Sequence, residues 1–418
     1  MLARVIAVFA TIFVWTIPAD AKRVADWCRE IGLESIMHTG GPSIAGSHFV
    51  NKDDVLEAQP DVVSHINGGP TSIAQADIRI LCEKAKGALE VVHNGNEKSA
   101  LVALEAAREA GRLADVLIGT DAPAGSIWGL FGADDEIGTL NLIDDAARRR
   151  GLACATTGRA LSLALPWGPD GPQMGFVEGR TNPELHPFTF PLTNEPGEDR
   201  LWHDDRVVMG TQAATHWDGL AHASYGGHLY NGFPTSGIGP EGTAHCGIHL
   251  VRTLVTRGVL LDVARVHGVD RLPPGHALTA DDLDAAVELA KTTIEPGDVV
   301  LLRTGHMQLF LEGQRMKYAI GAPGPGLGTV EWFHRHDVAA VAIDNLIFEV
   351  FPCERDDAFL PVHFLHLVDM GLTQGQNWNL EGLAADCADD GRYTFLLSAS
   401  PEPVRYGAGA PVNPVVVK

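Results

Sequence analysis

Gln212-Ala-Ala-Thr-His-Trp-Asp-Gly-Leu-Ala-His222 is the stretch from which the rest of the chain can be read. His216 and Asp218 are two residues apart, so in an extended strand both side chains fall on one face. An imidazole nitrogen beside a carboxylate oxygen suits zinc, manganese or iron(II). Gln212, four residues before His216, offers a weaker, neutral carbonyl oxygen. His222 follows Asp218 by four residues, near enough to act on a water held by the ion. Without its surroundings the stretch also reads as a polar turn with incidental histidines.

A chain of 418 residues is long for one domain, and two are expected. Hydrophobic content of 45% with 20% charged residues is globular composition. The 46 glycines and 25 prolines indicate many turns and strands rather than a helical bundle. A net charge of −22 argues against nucleic acid as a partner and disfavours an acidic membrane surface. The six cysteines are far apart with no CxxC pair, which fits reduced, mostly buried thiols. Residues 1–21 form an apolar leader. Its run Val5 to Trp15 is too short to span a bilayer, and Ala19-Asp-Ala21 fits a signal-peptide cleavage site. The leader also reads as a buried strand of an α/β unit. A cytoplasmic location is the expectation, with export through this leader the alternative.

From residue 22 to about 125 helical and extended patterns alternate. Strands are expected at Ser35–His38, Asp61–His65, Ala88–His93 and Val116–Gly119, with helices between them, giving parallel pairing. Polar groups recur where these strands end: His38, His65, His93 and Asp121. Beyond a seam at Ala124-Gly-Ser126 the texture changes. Apolar runs bounded by Gly and Pro predict strands at Ala160–Leu165, Val207–Met209, Gly258–Val263, Asp298–Arg303, Val338–Asp344 and Thr394–Ala399. Helices are expected at Asp144–Arg150, Ala280–Thr292, Gly328–His336 and Glu381–Asp386. This spread predicts an α/β domain with a mixed or barrel-like sheet. No nucleophile elbow, no strand-following GxGxxG and no phosphate-binding P-loop is present, so neither a covalent serine route nor a nucleotide cofactor is indicated.

Two resemblances sharpen these expectations. His38-Thr-Gly-Gly, Ser64-His-Ile-Asn-Gly-Gly-Pro-Thr71 and Gly119-Thr-Asp-Ala-Pro123 resemble the C-terminal half of enamidase-type amidohydrolases. In that family, histidines and an aspartate ending barrel strands help hold a metal pair, and His38, His65 and Asp121 match those positions. No strand-one His-x-His and no bridging lysine or glutamate accompanies them. The resemblance therefore implies a truncated half-barrel over residues 22–125 with vestigial metal positions. Half a barrel leaves open sheet edges.

Residues 126–418 resemble the cyclase family of metal-dependent hydrolases, which includes bacterial kynurenine formamidase and isatin hydrolase. The matching segments are Trp128–Leu142, Thr211–His222, Gly258–Asp262, Pro296–Gly305, Pro323–Gly328 and Pro361-Val-His363. The resemblance implies a swivelling β/β/α domain with a mixed barrel-like sheet. It implies an arylformamidase-like hydrolase acting on a small amide, formamide or cyclic amide, with a zinc or manganese ion. Of the family motif His-x-Gly-Thr-His-x-Asp-x-Pro-x-His, this chain matches Thr215, His216, Asp218 and His222, the last as general base. Gln212 stands where the first histidine would be. His363 fits the later histidine of a second metal, and Gln376 stands where its glutamate would be, so one ion is expected rather than two. Arg303 and His306 could meet substrate, or serve as an ion-pair partner and a surface group. Trp217 and Tyr225 could stack on a flat substrate or pack in the core. Asp344 and Glu349 could orient ligands, or serve as helix caps or salt-bridge partners. The resemblance is compatible with a homodimer. Two alternatives stand beside this reading: chemistry at His38, His65 and Asp121, or a non-catalytic small-molecule binder with a degenerate metal site.

Overall fold

The computed structural model describes residues 12–13, 35–38, 52–60, 62–64, 75–86, 88–93, 97–112, 116–120, 127–355 and 357–418. The chain divides into two compact units, Met1–Ala124 and Gly125–Lys418. In the first, Ile12–Phe13, Ser35–His38, Val62–Ser64, Ala88–His93 and Val116–Thr120 form a five-stranded sheet in that order, and all pairs are parallel. Helices Lys52–Ala58, Gln75–Lys84 and Glu97–Glu109 connect successive strands. Val55, Ile78, Leu81, Leu89 and Ala103 are among the residues forming their common core. Part of the apolar leader thus enters the sheet, through Ile12 and Phe13 beside Ser35 and Ile36. His38 closes its strand, whereas His65 and Asp121 lie outside the described residues.

The second unit is organised by a nine-stranded mixed sheet. Its strands are β1 (Ala160–Ser162), β2 (His216–Asp218), β3 (Val255–Asp262), β4 (Val299–Arg303), β5 (Ala340–Ile343), β6 (Thr373–Gln376), β7 (Thr394–Ser398), β8 (Gly409–Pro411) and β9 (Val415–Val417). The spatial order is β8-β2-β6-β5-β4-β3-β7-β9-β1. The central strands β3, β4, β5 and β6 run parallel, and β2, β7, β8, β9 and β1 join antiparallel. Val299-Val-Leu-Leu and Ala340-Val-Ala-Ile are buried throughout because both faces of the sheet are covered.

Alternation within these runs separates two cores. Leu260, Leu301, Ala340 and Ala342 pack on one face with Trp217, Trp378 and Phe395. Val259, Leu261, Val300, Leu302, Val341 and Ile343 pack on the other with Trp332, Phe333 and Phe348. Each fully buried Leu or Val contributes about 1.5–3 kcal/mol, and Leu301→Ala would cost about 2–5 kcal/mol. The three longest described helices of this unit flank the sheet: α1 (Asp145–Cys154), α2 (Ala280–Ala290) and α3 (Glu381–Asp390). The Asp144 carboxylate caps α1 by accepting from the Ala147 N–H, and Thr279 with Asp282 closes α2 in a capping box. Strands Glu184–Pro191 and Leu201–Val208 form an antiparallel hairpin exposed along its whole length. Cys82, Cys154, Cys246, Cys353 and Cys387 are all free thiols. No helix among the described residues is long and apolar enough to cross a membrane.

Candidate metal centre and cavity

β2 lies between β6 and β8, with His216 opposite Gln376 and Pro411, and Asp218 opposite Gln374 and Gly409. His216, Trp217 and Asp218 are all buried. The period of two sends His216 and Asp218 one way and Trp217 the other. Trp217 packs edge-on against Trp378, with ring centroids 4.8 Å apart, and donates its indole N–H to Ala399 O at 2.8 Å. Gly375 makes room for this pair. A Cβ there would meet Trp378 Nε1 at 2.7 Å and the Trp217 ring at 3.0 Å.

His216 Nδ1 lies 2.7 Å from Ala214 O, a contact that fixes the ring with Nδ1–H donating. Nε2 then carries the lone pair, 3.4 Å from Asp218 Oδ1. Neither Nε2 nor Oδ1 has a hydrogen-bond partner, although both are buried. Two orphaned acceptor atoms side by side, with the imidazole tautomer set by a backbone carbonyl, are what a cation ligand pair requires. His222 follows the turn closed by its own N–H on Gly219 O, and its Nε2 lies 3.7 Å from the same Asp218 Oδ1. Burial pushes the Asp218 carboxyl upward, but His222, His216 and His363 around it outweigh burial and hold it well below the usual carboxylate range. Burial lowers the His222 imidazole, assisted by His363 and Arg180 and opposed by Asp218, so the ring is biased to its neutral form.

His363 reaches the same place from the short helix Pro361–Phe364. Its Nδ1 pairs with Glu349 Oε1 at 2.7 Å, and Glu349 also accepts the backbone N–H groups of Val362 and His363. The carboxylate thereby orients the ring. Gln376 spans the gap: its Nε2 donates to Asp218 Oδ2 at 2.5 Å and lies 3.5 Å from His363 Nε2. Gln212 makes no side-chain bond to this group. Its Oε1 accepts from the Thr211 hydroxyl at 2.7 Å, and its amide nitrogen lies beside Gly409.

A cavity of about 500 Å3 opens onto His222, His363 and Gln376. Its other walls are largely apolar, among them Phe176, Val177, Ile320, Ile347 and Phe359. Four residues expected there are elsewhere. Arg303 sits in an ion-pair network, donating to Asp262 Oδ1, both Glu381 carboxylate oxygens and Asp270 O at 2.9–3.0 Å. All its donors point into protein because Asp262 stands opposite it in the β3–β4 register. His306 is fully buried against Tyr318, with Nε2 3.0 Å from Tyr318 O. Trp217 belongs to the core, and Tyr225 donates its hydroxyl to Asp369 Oδ1 at 2.5 Å. Asp344, nominated separately to orient ligands, is instead fully buried on the N–H groups of Thr304 and Gly305.

Two residues near the centre escaped sequence reasoning. His366, one turn beyond His363, is buried between Phe333 and Phe348, and burial pushes it down to about 3. The His-x-x-His spacing was the available signal. Arg180 lines the cavity from a loop that carries no recognisable pattern. A second group, His267, His276 and Asp282, also brings ligand atoms within 4.8 Å of one another. There His267 Nε2 already pairs with Asp282 Oδ1 at 2.7 Å, and Asp282 Oδ2 caps α2.

A mixed α/β sheet with a buried imidazole–carboxylate pair, bordered by His222, His363 and Gln376 of a largely apolar cavity, defines the class. The family model described as "Putative cyclase" matches residues 161–350. A solved structure described as a novel cyclase is 35% identical, with a TM-score of 0.64, covering 70% of this chain and 97% of that one. The chain belongs to the cyclase family. Isatin hydrolase A from Ralstonia solanacearum is 21% identical with a TM-score of 0.45, covering 65% of this chain and 95% of that one. The enamidase of Eubacterium barkeri is 44% identical over 109 residues, 26% of this chain. The chain spans 28% of the enamidase length.

Proposed function

We propose that this chain is a metal-dependent hydrolase that cleaves the carbon–nitrogen bond of a small amide, formamide or cyclic amide. The observation that carries the reading is the pair of buried, unpartnered acceptors, His216 Nε2 and Asp218 Oδ1, at 3.4 Å. These two would hold a zinc or manganese ion, with His363 adjoining. When bound, the ion polarises the carbonyl and lowers the pKa of water toward neutrality. His222 Nε2 faces both Asp218 and the cavity, so it takes the proton released as the water oxygen bonds to the carbonyl carbon. As the carbon–nitrogen bond breaks, the same nitrogen returns that proton to the leaving amine. An amine and a carboxylic acid result, and the acid releases its remaining proton to solvent as it ionises to the carboxylate. The apolar walls seat the substrate body and exclude bulk water.

Gln376 supports a single ion. Its amide N–H groups address Asp218 Oδ2 and His363 Nε2, the two atoms a second ion would need. The experiment is metal analysis of purified protein, paired with turnover on a panel of formamides, lactams and cyclic imides. His216→Ala should release the ion and His276→Ala should retain it. Release by His276→Ala, with the ion kept by His216→Ala, would place the metal at the surface group and end this reading.

A further inference from the structure

Arg180 stands in the cavity wall with a guanidinium that makes no hydrogen bond or ion pair to any described residue. Its position is built. Asn182 clamps the loop by accepting from Gln173 N–H and donating to Gln173 O, both at 2.9 Å. Gln173 Nε2 donates to Ala213 O at 3.0 Å, and the Gly210 N–H donates to Thr181 O at 3.1 Å. Both bonds tie the loop to the segment that leads into β2, so Arg180 is referenced to His216 and Asp218. The Arg180 N–H turns back onto Val177 O. Among the described residues of the lining, Arg180 is the one Lys or Arg, none is an Asp or Glu, and most of the rest are apolar.

A molecule with 53 acidic and 31 basic residues has ample carboxylates to pair a guanidinium. Leaving one half-buried and unpaired beside apolar walls is unfavourable unless a ligand completes it. Guanidinium geometry matches a carboxylate through two parallel N–H donors. We infer that Arg180 forms an anion subsite, and that the substrate is an amide on an apolar body that also bears a carboxylate.

This inference rests on the hydrolase reading, and two measurements separate their fates. The first compares kcat/KM for N-formyl-2-aminobenzoate and its methyl ester in wild type, Arg180→Gln and Arg180→Lys. The acid-to-ester ratio should fall roughly 10- to 100-fold in Arg180→Gln, the span of a charge-assisted hydrogen bond, and recover in part in Arg180→Lys. An unchanged ratio with robust turnover overturns the anion subsite and leaves the hydrolase standing. The second is calorimetric binding of phenylacetate and phenylacetamide to the purified protein. Preference for phenylacetate that vanishes in Arg180→Gln supports the subsite even where no amide is turned over, an outcome that would sink the hydrolase alone. Equal affinity for the two compounds, or a preference indifferent to Arg180→Gln, overturns it.

Discussion

Gln376→Glu is the sharpest perturbation of the site, because it changes charge with almost no change of shape. In wild type the amide nitrogen lies 2.5 Å from Asp218 Oδ2 as a donor. The substitution puts a carboxylate oxygen there instead, and Asp218 is fully buried. Two unit charges about 3 Å apart at an effective dielectric of about 20 repel by roughly 5–6 kcal/mol. In metal-free protein that repulsion must be relieved by proton uptake or borne as instability, lowering the melting temperature by up to on the order of 10 °C. A second divalent cation removes it, since Asp218 Oδ2, His363 Nε2 and the introduced carboxylate then form an oxygen–nitrogen ligand set. The assay is metal content per chain by mass spectrometry, with thermal unfolding in chelator and in excess manganese. Stoichiometry should rise from one ion to two, and the gain in melting temperature on adding manganese should exceed that of wild type. One ion in both proteins with equal gains would refute the assignment of Gln376 as the group that keeps a second ion out.

Three further outcomes follow from the geometry. His222→Ala should retain the ion and lose about 10²- to 10⁴-fold in kcat; turnover within threefold of wild type would remove His222 from the chemistry. Arg303→Ala strands Asp262 and Glu381, so it should cost about 3–5 kcal/mol in urea unfolding while activity per folded molecule is preserved. Loss of activity at full stability would return Arg303 to the cavity. Burial pushes the Asp344 carboxyl up to about 7 against the opposing Thr304 hydrogen bonds. A folded value above the unfolded one means its stabilisation is complete below roughly pH 4 and is lost as pH rises through 7. Asp344→Asn should therefore gain on wild type across that window in denaturant titrations, and a pH-independent difference would contradict the burial argument.

What could be read from the sequence was what depends on local period. The apolar runs at 258–263, 298–303 and 338–344 emerged as β3, β4 and β5 because strands covered on both faces are hydrophobic throughout. Helix α3 runs to Asp390, four residues past its expected end, because Gly391 in the left-handed region, not Asp386, terminates it. β6 was illegible: Thr373-Gln-Gly-Gln376 has no apolar side chain, since Gln374 and Gln376 face Asp218 and Gly375 yields to two tryptophans. In the site, the alternation that nominated His216 and Asp218 already excluded Trp217, which must point to the opposite face. Arg303 misled because its partner Asp262 lies 41 residues away, and only cross-strand register makes them neighbours. Arg180 was unreadable because loop contacts through Gln173 and Asn182 place it, with no periodic signal.

The two glutamines and Arg180 belong to one electrostatic argument. With Gln212 turned to Thr211 and Gln376 donating rather than ligating, Asp218 is the one anionic ligand beside the proposed ion. A divalent ion on one carboxylate leaves the centre net positive, and Arg180 adds a second positive charge on the cavity side. With that ion bound, an acidic molecule would focus positive potential into one apolar cleft, an effect that would favour anionic ligands there and weaken with salt. If charge is what the subsite supplies, a second ion drawn in by Gln376→Glu should restore part of the carboxylate preference lost in Arg180→Gln. The double variant tests this by calorimetry with phenylacetate in excess manganese. Recovery of binding points to shared electrostatics. A double variant as weak as Arg180→Gln alone, with two ions bound, would show that the guanidinium acts through its directed N–H donors and that field strength alone does not select the ligand.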